Sequence, residues 1–152
     1  MGMTVTLDRM IHTNAVHHEL GKEIALEGCC AFGGKGLDLN PIDLMAMGLG
    51  SCLMIVMAKS AEARGIDLTG TWAETSYELK DYQIDNFSVT IRSPYRPTDD
   101  EQVFLERESH RCPVYLAVKD GTRVQVSFEW GATANSARTV VQECTGGCAA
   151  SA

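Results

Sequence analysis

The sequence predicts one α+β domain in which short strands flank a single long apolar helix. Three observations carry that expectation. The chain has 152 residues and a mass of 16.5 kDa, one domain's worth of polypeptide. An uncharged run from Leu44 to Ala58 follows a helix-opening Asn40-Pro41. On either side lie segments in which apolar and polar residues alternate, the period of a strand with one buried face.

In order along the chain, Met3 to Met10 alternates so that Val5, Leu7 and Arg9 share a face. Asn14 begins a second short strand and Lys22 to Cys30 forms a third, with Gly21 marking the turn between them. These are expected to be N-terminal antiparallel strands. Gly33-Gly34-Lys35-Gly36 reads as a flexible loop, because it lacks the glycine spacing and the Lys-Ser/Thr pair of a phosphate-binding loop.

Asn40 suits a helix N-cap, Pro41 the first helical position and Asp43 the positive end of the helix dipole. Gly65 supplies a stop after Arg64. A helix over 41–64 is roughly 36 Å long. Met45, Met47, Leu49, Leu53, Ile55 and Met57 occupy nearly every face of its middle. A helix apolar all round must be covered all round, which one chain of this size can hardly do, so a second copy is expected. Gly48, Gly50 and Ser51 would let another helix approach closely. The uncharged run falls short of the about 20 residues of a membrane span. It is closed by Lys59, Glu62 and Arg64, so it reads as a buried helix.

Beyond it, Thr71 to Leu79 and Asn86 to Ile91 read as a second β-meander around a polar turn at Asp81 to Asp85. Thr98-Asp99-Asp100-Glu101 is a capping box opening a second helix, which ends at Cys112-Pro113. Thr122 to Trp130 is the final strand. The domain therefore spans 1–131. Residues 132–152 read as a small, polar C-terminal tail, either a short helix over 137–144 or disordered.

A hydrophobic fraction of 45% with 22% charged residues excludes disorder. Twenty acidic residues against 13 basic ones give a net charge of −7. That argues against nucleic-acid binding and adhesion to an anionic membrane, which need a basic face. The N-terminus lacks a secretory pattern, so the cytoplasm is the expected compartment.

The six cysteines are poor evidence for a disulfide framework in a reducing compartment. Cys29-Cys30, the isolated Cys52 and Cys112, and Cys144-x3-Cys148 also fail the usual zinc spacings. Cys52 lies mid-helix, where dry surroundings would leave a thiol inert. If a helix begins at Pro113, Cys112 is its N-cap and the dipole would lower its pKa. Either residue could equally be a buried packing residue, since cysteine is commonly one.

Asn40-Pro-Ile-Asp-Leu44 through Gly48-Leu-Gly-Ser-Cys52, then Ala61-Glu-Ala-Arg-Gly-Ile66, resembles the long-helix signature of the OsmC/Ohr family. Cys112-Pro-Val114 with Leu116, sixty residues after Cys52, resembles the family's second cysteine motif. The resemblance covers about Thr4 to Trp130 and is closer to the broad OsmC-like group than to the well-defined Ohr hydroperoxidases. It implies an OsmC-like fold in an intertwined homodimer with two long helices at its centre, and a stress-response role. It also implies a thiol-dependent peroxidase of organic hydroperoxides that needs no cofactor and no metal. Cys52 would be oxidised to a sulfenic acid, Cys112 would resolve it as a disulfide, and a dithiol partner would reduce the pair.

The peroxidases of the family set an arginine from the N-terminal strands beside the thiolate, held by a glutamate directly after the helix-opening proline. Here Ile42 follows Pro41, the acid is Asp43 one position later, and Arg9 is the only arginine before Arg64. Asp43 and Arg9 are therefore the candidate supporting residues, and His17, His18 and His110 are candidate donors. For Asp43 the helix dipole alone is a sufficient reason. The same departure keeps an alternative alive: a non-catalytic dimer that binds a small hydrophobic molecule or senses redox state, without efficient peroxidase activity.

Overall fold

A computed structural model describes residues 2–133. The tail's Cys144 and Cys148 and the expected short helix over 137–144 lie outside the described residues. The described chain forms two compact units, one through Leu44 and one from Met45 onward.

The first unit is a three-stranded antiparallel sheet in the order β1 (Met3–Arg9), β2 (His12–His17), β3 (Lys22–Glu27). Gly21 turns the chain between β2 and β3 at φ 57°. The third strand is shorter than the sequence suggests. It stops at Glu27, and Cys30–Phe32 forms a single 3-10 turn.

Glu27 causes that change of course. Its side chain is only 2% exposed, and its carboxylate accepts hydrogen bonds from the backbone N–H groups of Lys35 at 2.7 Å and Leu37 at 3.0 Å. The glycine-rich segment, expected as a flexible loop, is thus tied down by its own amides, which would otherwise be orphaned. The Lys35 N–H holds the Glu27 carboxyl below its ordinary range, with Leu37, Asp38 and the nearby His12 adding to the effect. A depressed pKa stabilises the fold above the ordinary carboxylate range, and that support is lost as pH falls through the lowered value. Glu27→Gln is therefore expected to cut hydrogen-exchange protection of the Lys35 and Leu37 amides at neutral pH. Acid should do the same to the wild type.

The first unit ends in the cap of the long helix α1 (Pro41–Glu62). The Asn40 side-chain oxygen accepts from the N–H groups of Ile42 at 2.8 Å and Asp43 at 3.1 Å. The Asp43 carboxylate accepts in return from the Asn40 N–H at 2.9 Å. This reciprocal arrangement satisfies three donors that a helix start leaves open.

In the second unit α1 packs on a sheet in the order β4 (Trp72–Lys80), β5 (Gln83–Ser93), β6 (Arg123–Trp130). β4 and β5 form a hairpin whose turn is tighter than expected: Asp81 and Tyr82 alone make it, at φ 51° and 62°. Two successive left-handed residues match the twist of the flanking strands. β6 runs parallel to β5, so the chain crosses over between them through α2 (Asp99–Ser109) and α3 (Pro113–Val118). Thr98 and Glu101 form the expected capping box of α2.

The buried stripe of α1 is Ala46, Leu49, Gly50, Leu53, Met57 and Ala61, at helical spacing. Alternate residues of β5, Phe87, Val89 and Ile91, are buried in the same unit, as is Leu105 of α2. Gly50 is where helix and sheet meet most closely. A Cβ there would lie 2.6 Å from Thr75 Cγ2 and 3.6 Å from Ala73 Cβ. The close approach expected of this glycine is therefore made by a sheet, not by another helix.

By length and composition α1 is apolar enough to cross a membrane, but its stripe against β4 and β5 is that of a core helix. Its other face leaves Met45, Met47 and Ile55 exposed. On the outer side of the sheet Arg92 joins the strands, donating to Glu129 of β6 at 2.7 Å and pairing with Glu74 of β4 at 2.5 Å.

Candidate active site

Cys52 stands on α1 one residue before the buried Leu53 and one after the exposed Ser51, so its thiol is half-buried at the margin of the packed stripe. Cys112 arrives by a different route. The helix α2 ends at Ser109, and Pro113 restarts the chain as α3, the fixed φ of proline suiting the first helical position. Cys112 is the N-cap of α3, its carbonyl accepts from Leu116 N–H at 3.0 Å, and its sulfur accepts from Tyr115 N–H at 3.3 Å.

The two thiols meet in the second unit. Cys112 is 0% exposed, and the neighbouring Cys52 sulfur bears on its thiol. Both carry reduced thiols. The helix start at Pro113 was legible, but its electrostatic consequence is the reverse of the expected one. Burial, then the Cys52 sulfur, push the Cys112 thiol up to about 11, while the N–H groups of Tyr115 and Val114 pull the other way and lose. A helix of six residues offers only a few aligned peptides, and complete burial of a thiolate outweighs them. Cys112 is thus the sulfur that keeps its proton.

The supporting candidates have local roles. Asp43 closes the cap of α1, the role that the helix dipole alone foretold. Arg9 ends β1 opposite His12, exposed on the sheet of the first unit. His17 accepts from Leu20 N–H at 3.3 Å, and His18 lies 2.8 Å from the Thr4 hydroxyl. His110 caps the end of α2: its Nδ1 donates to the Glu106 carbonyl at 2.7 Å and its ring stands edge-on to Tyr115 at 4.9 Å. Each histidine is accounted for by local structure. Sequence reasoning missed Tyr115, whose amide addresses the Cys112 sulfur. The third residue after an N-cap is a regular partner of the capping group, so the Pro113 signal pointed to it.

A family model of OsmC-like proteins matches residues 33–127, which include both cysteine motifs. The chain belongs to the OsmC-like family. Solved structures agree on the OsmC-like fold. An osmotic-stress-induced and detoxification-response protein of Psychrobacter arcticus 273-4 superposes at a TM-score of 0.78 with 24% identity, over 84% of this chain and 94% of that one. The organic hydroperoxide resistance protein OsmC of Legionella pneumophila reaches 0.66 with 19% identity, over 84% and 94%. The organic hydroperoxide resistance protein OhrB of Bacillus subtilis reaches 0.61 with 16% identity, over 84% and 96%. At these identities the likeness to each OsmC-like structure is one of fold. No curated protein matches the chain.

Proposed function

We propose that the chain is a thiol-dependent peroxidase that reduces organic hydroperoxides through Cys52 and Cys112. The observation that carries this reading is the pairing of the fully buried Cys112 thiol with the neighbouring Cys52 sulfur, which bears on its protonation. Family membership and the organic hydroperoxide resistance proteins among its structural relatives support it. Cys52 is the nucleophile, because it is half-buried where Cys112 is fully buried. Its thiolate attacks the peroxide, the O–O bond breaks, and Cys52 becomes a sulfenic acid while an alcohol is released. Cys112 then displaces the hydroxyl group as water and forms a disulfide with Cys52. An external dithiol returns the two electrons by thiol–disulfide exchange.

The test is to treat reduced protein with one equivalent of cumene hydroperoxide and map the disulfides by peptide mass spectrometry. A Cys52–Cys112 link that a dithiol reverses, with catalytic peroxide loss, is the expected result. Oxidation confined to other cysteines would sink the reading.

The active form is proposed to be a homodimer. Met45, Met47 and Ile55 on α1, like Met3, Val5 and Leu7 on β1, are exposed apolar side chains that a second copy would cover. Sedimentation equilibrium should return twice the 16.5 kDa chain mass, and a monomer at micromolar concentration would refute this. One observation favours a slower, redox-sensing role as second reading: Ile42 stands directly after Pro41 and the Asp43 carboxylate closes the cap of α1. Turnover that is too slow to matter, with intact disulfide formation, would select it.

A further inference from the structure

We infer that Gly48 selects the substrate at Cys52. The side chain it lacks leaves the space in which the apolar group of an organic hydroperoxide lies while the peroxide oxygen reaches the sulfur. This deepens the peroxidase reading above and rests on it.

Gly48 is a glycine that the described fold does not need. It stands within α1 and does not have a positive φ, so no left-handed turn calls for it. Beyond its chain neighbours and the helix backbone, a Cβ built there would meet no heavy atom within 4 Å among the described residues. No close approach calls for a glycine either. Gly50 gives the contrast on the same helix, since a Cβ there would lie 2.6 Å from Thr75 Cγ2 of the sheet. Glycine in a helix interior is less stable than alanine. At Gly50 the packing on β4 explains that loss, and at Gly48 no contact of the described chain does.

What stands beside Gly48 is Cys52. The two are four residues apart, neighbours on one helix face. Every Cα–Cβ bond of a helix tilts toward its N-terminus, so the Cys52 side chain leans over the turn to which Gly48 belongs. Gly48 is exposed and Cys52 half-buried, so this turn is the open side of the thiol. Met45, seven residues before Cys52, and Ile55, three after it, lie on the same side and are exposed. All four residues belong to the second unit. The space is thus flanked by a thioether and a branched hydrocarbon, and α1 carries no charge between Asp43 and Lys59. Such walls accept an alkyl or aryl group and offer nothing to a charged one. A second copy resting on Met45 and Ile55 would stand off the helix at Gly48, roofing the space without filling it.

The test compares wild type, Gly48→Ala and Gly48→Leu against cumene hydroperoxide and hydrogen peroxide. The readout is the single-turnover rate of Cys52 oxidation, taken as the ratio of the two oxidants. Hydrogen peroxide carries no organic group, so its rate reports the thiolate and the fold in each protein. The cumene-to-hydrogen-peroxide ratio is expected to fall slightly in Gly48→Ala and by about tenfold or more in Gly48→Leu, whose side chain takes the place of the substrate's. Without substrate, Gly48→Ala should raise the urea midpoint at fixed protein concentration, because alanine is the better helix former and its methyl group meets nothing. Sedimentation equilibrium should return the wild-type mass for both variants. An unchanged ratio in Gly48→Leu would overturn the inference. So would a lower midpoint for Gly48→Ala, which would show that the fold needs this glycine. A smaller assembled mass with both oxidants slowed alike would overturn it too and assign Gly48 to contact between copies. Each of these results leaves the peroxidase reading standing. Failure of wild-type Cys52 to react with cumene hydroperoxide would overturn that reading, and this inference with it.

Discussion

Reduced Cys52→Ser protein will consume no hydroperoxide, while Cys112→Ser protein will consume at most two equivalents per chain, ending as the sulfinic acid, and then stop. The asymmetry follows from the pair's geometry. Cys52 lies half-buried at the margin of the α1 stripe, where a small molecule can reach its sulfur. Cys112 is fully buried and holds its proton. Removing the attacking sulfur removes the covalent step itself, a loss of at least about 10³-fold in rate. Removing Cys112 leaves a sulfenic acid with no neighbouring thiol, which excess peroxide drives to the sulfinic acid. Ferrous-xylenol-orange titration of remaining peroxide, with intact-mass measurement of the protein, checks both halves. Multiple turnovers by Cys52→Ser protein would move the chemistry to another residue.

Leu53→Ala is expected to destabilise the protein by about 2–5 kcal/mol. Leu53 is 0% exposed on the sheet-facing stripe of α1, and truncating it both removes apolar burial and leaves a cavity that the surroundings only partly close. Ile55, two residues on and 65% exposed, provides the contrast. Ile55→Ala should leave the urea midpoint of the isolated chain nearly unchanged and instead weaken self-association. Urea unfolding at fixed protein concentration, with midpoint and slope compared, separates the two. A midpoint for Leu53→Ala equal to that of the wild type would mean that α1 is not anchored on β4 and β5.

Much of this arrangement could be read from residue order because local signals were strong. Asn40-Pro41 with Asp43, Thr98 with Glu101, and Pro113 after Cys112 each mark a helix start by the hydrogen bonds they make, and those bonds are present. Strand direction was not legible. The alternation in Thr122 to Trp130 shows a buried face, but a face has no sense of direction, so nothing local announced that β6 lies parallel to β5. Glu27 was also missed, because a carboxylate at a strand end reads as solvated until the amides of Lys35 and Leu37 are seen around it. The sign of the Cys112 shift failed for a related reason. Its helix-start donors are local and visible in sequence, whereas its burial comes from tertiary packing and is not.

The parallel return of β6 has a kinetic meaning. Arg92 and Glu129 face each other across strands 37 residues apart in sequence, so that edge of the sheet can form only after a long loop has closed. Such non-local pairing slows folding, since loop entropy is lost before contacts compensate for it. Cys112 lies within that loop and is buried only when the packing is complete. Before then its thiol is an ordinary solvent-exposed one, open to any oxidant or passing disulfide. Newly made chains should therefore be chemically most vulnerable at this cysteine, and that window should close when β6 docks.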